Sequence, residues 1–429
     1  MSRYTHRVQE LTLEQDPLSI KILHSLWFRT SLLLPNLRKL RWAYEDYTVI
    51  SSIRLLLSPS LVHLDVWLDC GDHSSVMGFL ERYHTFSPNL RFLFFGHLCR
   101  YPHVTTAISR AVCRSPNLEV LGCDPIDEEA LIHVAETLNL KRFSSCLLLH
   151  RPETMKSLAV RGTSSDPPFK NLRILELRIE DLSSITPYFR SQYQPMQEVA
   201  FEFRMLPTRQ AFLEFFTALN SPTRRGTLHK IKLQCIGSGR PGISETVNFQ
   251  VLKPLVDFNL RTFHVNINNP VSLSDDELGL LAQAWPGLET FNFNQQSGWD
   301  HTTSCQIPTL KGLVILLARC PKLHDLGLCA DARTIPSLSK DESSIRNTSI
   351  TRISFANSLI EAPVERVAHF LLNHLPSLTA LPAWTSFCAQ SSPTQEDRRM
   401  WRDVHLELQK ILQQHLGPES CDSELAQRA

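Results

Sequence analysis

No stretch of this sequence approaches the roughly 20 consecutive apolar residues that a membrane-crossing helix needs. The N-terminus, Met1 to Glu10, is polar and lacks the apolar core of a secretion signal. Neither membrane insertion nor export is therefore expected, and the cytoplasm, the nucleus or both are the expected location. Charge of one sign is also lacking: 44 basic and 43 acidic residues leave a formal net charge of +1. Without a global field to draw in phosphate backbones or anionic lipid, neither nucleic acid nor membrane is expected as a partner. The 11 cysteines are odd in number, scattered and without a CxxC pair, so they suggest neither a disulfide framework nor a zinc site. Buried thiols in a reducing compartment fit better.

Chemistry-bearing motifs are equally scarce. The 17 histidines include no HExxH, and His369 and His374 lie five apart on an expected helix, a spacing that turns them onto different faces. No GxSxG elbow occurs. Gly237-Ser238-Gly239-Arg240-Pro241-Gly242 matches GxGxxG after an expected strand, but Pro241 falls where the helix should already be running. A flexible loop before a helix starting near Ser244 is the better reading. The sequon Asn347-Thr348-Ser349 reads as chance, because nothing else points to secretion. The expectation is a chain that is not an enzyme and holds no cofactor or metal.

What is present is a core-forming composition, 42% hydrophobic and 20% charged, organised by one recurring pattern. An apolar residue, two arbitrary positions, an apolar residue, one arbitrary position and a third apolar residue recur along the chain, often just after Pro-Asn or a similar turn. Clear copies begin at Leu37, Leu61, Leu90, Leu118, Leu172, Leu228, Leu260, Leu288 and Leu323, and weaker ones at Val8, Leu140, Met196, Ile350 and Leu378. The mean step is about 28 residues, within the leucine-rich-repeat range and long enough for a helix after each short strand. Ser274 to Glu277 opens one such helix, with Leu278, Leu281, Ala282 and Trp285 on one face, and Thr309 to Arg319 reads the same way. The expected fold is α/β: a leucine-rich-repeat solenoid, or horseshoe, with parallel strands on its concave face and helices on its convex face. The irregular repeat domain of about 14 copies is expected over residues 1–385.

After Leu381 and Pro382 the pattern stops. Ser391-Ser392-Pro393 starts a helix expected over 391–416, with Trp401, Val404, Leu408, Ile411 and Leu412 as its apolar stripe and Asp397 among the residues largely off it. Its expected role is to cap the exposed end of the solenoid; residues 417–429 are expected to be disordered.

Within each copy the arbitrary positions alternate with the apolar ones and so face away from the repeat core. These positions read Lys39 and Arg41, then His63, Asp65 and Trp67, then Phe92 and Phe94, and later Lys230 and Lys232, Thr262 and His264, Asn292 and Asn294. Trp67, Phe92 and Phe94 on adjacent strands, beside Lys39 and Arg41, have the composition of a binding hot spot for a protein substrate on the concave face. A register shifted by one residue, or cover from a further segment, would instead make these aromatics ordinary core.

The stretches Leu273 to Phe293, Thr309 to Val314 and Cys320 to Leu328 resemble the fungal, basidiomycete-type F-box and leucine-rich-repeat proteins, in their C-terminal repeat region. Similarity runs from Leu11 to about Trp401, and the family's N-terminal F-box segment is not seen. The resemblance implies a monomeric substrate-recognition part of an F-box-type ubiquitin ligase receptor, with a Skp-type adaptor and cullin as partners where an F-box is present. A free-standing interaction scaffold or inhibitor without ligase coupling is the alternative.

Overall fold

The computed structural model describes residues 5–14, 21, 22, 25, 32–43, 47–68, 73–97, 101–123, 125–146, 155, 158, 160, 167–237, 245–267, 269, 271–295, 306–382 and 395–416. They form two compact units, Met1–Phe201 and Glu202–Ala429. Both are built by the six-residue pattern.

In the first unit the strands are β1 (Glu10–Leu13), β2 (Lys39–Trp42), β3 (His63–Leu68), β4 (Phe92–His97), β5 (Val120–Cys123), β6 (Arg142–Cys146) and β7 (Ile174–Ile179); β8 (Glu198–Phe203) begins in this unit and ends in the next. Strands β1 to β7 pair in sequence order, all parallel. The second and third apolar positions of each copy therefore stand in register. Leu40, Leu64, Leu93, Leu121, Phe143 and Leu175 form one buried row, and Trp42, Val66, Phe95, Cys123, Ser145 and Leu177 the next. Each fully buried leucine contributes about 1.5–3 kcal/mol, which its own strand and helix could not secure without the neighbouring copy.

The second unit repeats the scheme with β9 (Lys230–Cys235), β11 (Thr262–Asn266), β13 (Thr290–Phe293), β14 (Asp325–Gly327) and β15 (Ile353–Ser354). Arg352 bridges Ala380, so the copy starting at Leu378 also joins the ladder. Two short strands, β10 (Val247–Asn248) and β12 (Val271–Ser272), pair in parallel as a separate small sheet. The helix expected near Ser244 begins instead at Phe249, because residues 247 and 248 are taken into that sheet. Residues 238–244 of the GxGxxG stretch lie outside the described residues.

Successive copies are tied by a recurring contact. The first arbitrary residue and the one after it both donate their backbone N–H to a single carbonyl of the preceding copy: Arg91 and Phe92 to Val62, Glu119 and Val120 to Arg91, Lys141 and Arg142 to Glu119, Arg173 and Ile174 to Lys141. Pairs in the second unit do the same, with Arg261 and Thr262 bonded to His229 and Glu289 and Thr290 to Arg261. Three Pro-Asn turns add a side-chain link. Asn36 Nδ2 donates to the His6 carbonyl, Asn89 Nδ2 to Pro59 and Asn117 Nδ2 to Pro88. The Pro-Asn turns thus join one copy to the next as well as reversing the chain.

Helices follow the strands and bury one side against the apolar rows. The helix Asp275–Ala284 starts at a capping box: Glu277 N–H donates to Ser274 Oγ while Ser274 N–H donates to the Glu277 carboxylate. Thr309 caps Leu310–Arg319 through its hydroxyl alone, which accepts from the Lys311 N–H. Arg224, 1% exposed, lays its guanidinium on the carbonyls of Ala218 and Leu219, which the end of the helix Arg209–Leu219 leaves without intrahelical donors. His369 is exposed and His374 buried on the helix Val364–His374.

The last helix, Gln395–Leu416, lies against Val364–His374. Trp401 is fully buried, stacks on Phe355 at 4.7 Å and donates its indole N–H to the Ser358 carbonyl. Val404, Leu408 and Ile411 are buried with it. Asp397, expected off the stripe, is buried instead: four residues before Trp401 it shares the inner face, and its carboxylate reaches the backbone N–H of Ile360 at 3.5 Å. Residues 391–394 and 417–429 lie outside the described residues. Asn347 of the sequon is buried, with Nδ2 on the Leu323 carbonyl and Oδ1 accepting from the N–H groups of Ser349 and Ile350, so its amide is committed to the fold. No described helix is long and apolar enough to cross a membrane.

Candidate functional site

The face of the first unit's sheet opposite the buried apolar rows is built from the arbitrary positions, whose cross-strand partners are fixed by register. One row runs Glu10, Lys39, His63, Phe92, Val120, Arg142 and Ile174; the next runs Thr12, Arg41, Asp65, Phe94, Gly122, Ser144 and Glu176. Trp67 stands in a third row opposite Gly96. All seven candidate residues, Lys39, Arg41, His63, Asp65, Trp67, Phe92 and Phe94, lie on β2, β3 and β4 and face away from the buried leucine rows. No one-residue shift of register has turned them inward.

Their exposure is graded. Trp67 is 47% exposed, Lys39 and Arg41 are exposed, and His63, Asp65, Phe92 and Phe94 are half-buried. The half-burial comes from the rings themselves. His63 stacks on Phe92 at 5.5 Å and lies tilted 5.9 Å from Phe94. Two glycines on the following strands provide seats: a Cβ at Gly96 would meet the Trp67 indole at 2.9 Å, and one at Gly122 would meet the Phe94 ring at 2.5 Å. The indole and the phenyl therefore lie flat across a neighbouring strand, each presenting one face to solvent. Such broad, rigid rings lose little entropy on binding.

The charges beside this aromatic step are loosely paired. Arg41 Nε is 3.6 Å from Asp65 Oδ2 and Lys39 Nζ is 3.7 Å from Glu10 Oε2, so both cations keep donors for another group. Burial raises the Asp65 carboxyl above its usual pKa, against the pull of Arg41. Burial, and then the charge of Lys39, lowers His63 below the usual histidine value, so this ring is a neutral stacking surface at neutral pH. At the far side of the face, Arg142 forks onto Glu176 through two bonds of 2.9 Å.

In the second unit, Lys230, Lys232, Thr262 and His264 are half-buried on the corresponding face. Asn292 and Asn294, expected there as exposed positions, are buried. Asn292 donates to Asp325 and lies over Gly327, while Asn294 adopts a left-handed φ of 52° and turns its amide inward to the backbone of Ile267 and Asn269. An asparagine just past the last apolar position serves the turn, a role its polarity alone does not reveal.

Among the described residues no group of three or more His, Cys, Asp or Glu side chains could hold a metal ion. Six described cysteines, Cys113, Cys123, Cys146, Cys235, Cys320 and Cys329, are free thiols. The site offers rings, paired charges and hydrogen-bond donors, which suit capture of a partner.

No protein-family profile matches this chain, and no curated protein does. Among solved structures, a chain from the "Crystal structure of Rad7 and Elc1 complex in yeast" is similar over 81% of this chain and 84% of that one, with 14% sequence identity and a TM-score of 0.39. That overlap is too loose to speak for fold or function.

Proposed function

We propose that this leucine-rich-repeat chain is a protein-binding module, not an enzyme, and that it captures its partner on the sheet face carrying Trp67, Phe92 and Phe94. The observation that supports the reading is the seating of those rings: Trp67 lies flat over Gly96 and Phe94 over Gly122 of the following strand, while Phe92 stacks on His63, and each ring keeps part of its surface open. Fixed aromatic anchors bordered by partly satisfied cations are the composition that carries binding energy at protein interfaces. Replacing Trp67 and Phe92 together with alanine is expected to abolish partner capture while lowering the melting temperature by no more than about 4 °C. Loss of the cooperative melt would mean that the rings chiefly hold the sheet together.

At the finer level, the chain acts as the substrate-recognition part of an F-box-type ubiquitin ligase receptor, as its resemblance to that family implies. Affinity capture of the tagged chain, scored by mass spectrometry for a Skp-type adaptor and a cullin, tests this. Recovery of both supports ligase coupling; a stable partner recovered without either leaves a scaffold or inhibitor.

A further inference from the structure

Beside the aromatic step of the first unit runs another row, formed by the first arbitrary position of each copy: Arg38, Val62, Arg91, Glu119, Lys141 and Arg173. Because these residues carry the shared-carbonyl contacts between copies, they follow one another at the strand spacing of about 4.8 Å. Four are cations and one is an acid. Glu119 serves two of them, Arg91 at 3.3 Å and Lys141 at 2.6 Å. Among the described residues Arg38 is exposed with no side-chain partner, and Arg173 spends a guanidinium N–H on the Pro195 carbonyl with no paired carboxylate. Alongside them, Lys39 and Arg142 are each matched by one acid, Glu10 and Glu176. Among the described residues the rim therefore carries an excess of positive charge along about 24 Å, in a chain whose net charge is only +1.

A cleft of about 730 Å³ opens at this rim, lined by Val62, Asn89, Arg91, Phe92, Asn117 and Glu119. Phe92 belongs both to the cleft and to the aromatic step, so the charged rim and the apolar surface are continuous. An extended peptide at about 3.3 Å per residue would cover the rim with roughly seven residues. A nucleic-acid backbone, with charge at every unit, would also meet Glu10, Glu119, Asp65 and Glu176 on the same face; a peptide can leave those positions uncharged.

Resting on the proposed reading of this face as the binding surface, we infer that the captured segment is an acidic, extended peptide with one apolar anchor. Its carboxylates lie along Arg38, Arg91, Lys141 and Arg173, and its anchor enters the cleft against Phe92. The test is to pan a displayed library of random peptides of roughly twelve residues against the full chain. The enriched sequences are then measured as fluorescein-labelled synthetic peptides by anisotropy. Enrichment of Asp and Glu around one aliphatic or aromatic residue is expected, with affinity weakened roughly tenfold or more in Arg38→Glu/Arg91→Glu and less in Arg38→Gln/Arg91→Gln. Affinity should also fall as salt is raised. Thermal melts of each variant establish that the fold is retained. Peptides without acidic bias, or binding indifferent to the arginine changes yet lost in Phe92→Ala, would overturn the acidic-peptide assignment and leave the face as the binding surface. Indifference to the arginine and Phe92 changes alike would remove both readings. No enrichment, or a labelled single-stranded DNA binding more tightly than every peptide, also overturns the inference.

Discussion

At the scale of single residues, the strand glycines of β4 and β5 decide what the sheet face presents. Gly122 leaves room for the Phe94 ring, and the 2.5 Å approach to an added Cβ means that Gly122→Ala must lift the ring off the strand. The expected cost is about 1–3 kcal/mol, seen as a lower melting temperature together with weaker partner capture. An unchanged melt would show that the ring can move aside freely. Half-buried and buried histidines supply a pH dependence. His63, His264 and His374 all titrate below the ordinary histidine value, first because burial disfavours the charged ring. The unfolded chain therefore binds protons more readily than the fold. Their contribution to stability is complete above a pH of about 6.5 and is lost as pH falls through the lowered folded values. Urea unfolding at pH 7.5 and 5.5 should give a lower midpoint at 5.5, and His374→Gln should narrow the gap. The alternation of each copy told which face Trp67, Phe92 and Phe94 would occupy, because a strand gives every other residue to one side. It could not tell that Asn294 turns inward, since a short amide can satisfy a turn's backbone as readily as water, or that Asn292 is covered on its own face by Asp325 and the strand at Gly327.

At the scale of elements, strand and helix formation was legible wherever the signal was local. Ser274 with Glu277 three residues later announces a helix start, and the apolar spacing after it marks the buried side. The links between elements were less visible. The Pro-Asn turns stand out in the sequence as chain reversals, but the partner of Asn89 is Pro59 and that of Asn117 is Pro88, each about one copy away. Nothing within a single turn specifies such a contact. Asn89→Ala combined with Asn117→Ala is expected to cost about 1 kcal/mol or less per bond, because both amides lie at the surface. Hydrogen exchange should report it as faster opening of β4 and β5; protection unchanged in both strands would deny the turns this role. The small β10 and β12 sheet escaped notice for a related reason, since two-residue strands carry no periodicity to read.

At the scale of the whole molecule, the exposed end of a repeat array has to be closed; in the second unit the helix Gln395–Leu416 packs with Trp401 stacked on Phe355, and we propose that this packing is the cap. Trp401→Ala is expected to lose about 3–5 kcal/mol and to promote concentration-dependent aggregation, measured by thermal melting and size-exclusion chromatography. A variant that stayed monomeric and melted like the parent would show that the array closes without this indole. Within each unit only the strand hexad and its shared carbonyl must keep step with the copy before. The intervals between hexads are correspondingly uneven, about 22 residues from Leu118 to Leu140 and about 35 from Leu288 to Leu323. Such an architecture tolerates growth by whole copies. A duplicated or deleted copy shifts its successors along the array without altering any contact inside them, so the proposed binding face can be lengthened or re-lettered one rung at a time while the rest of the chain folds as before.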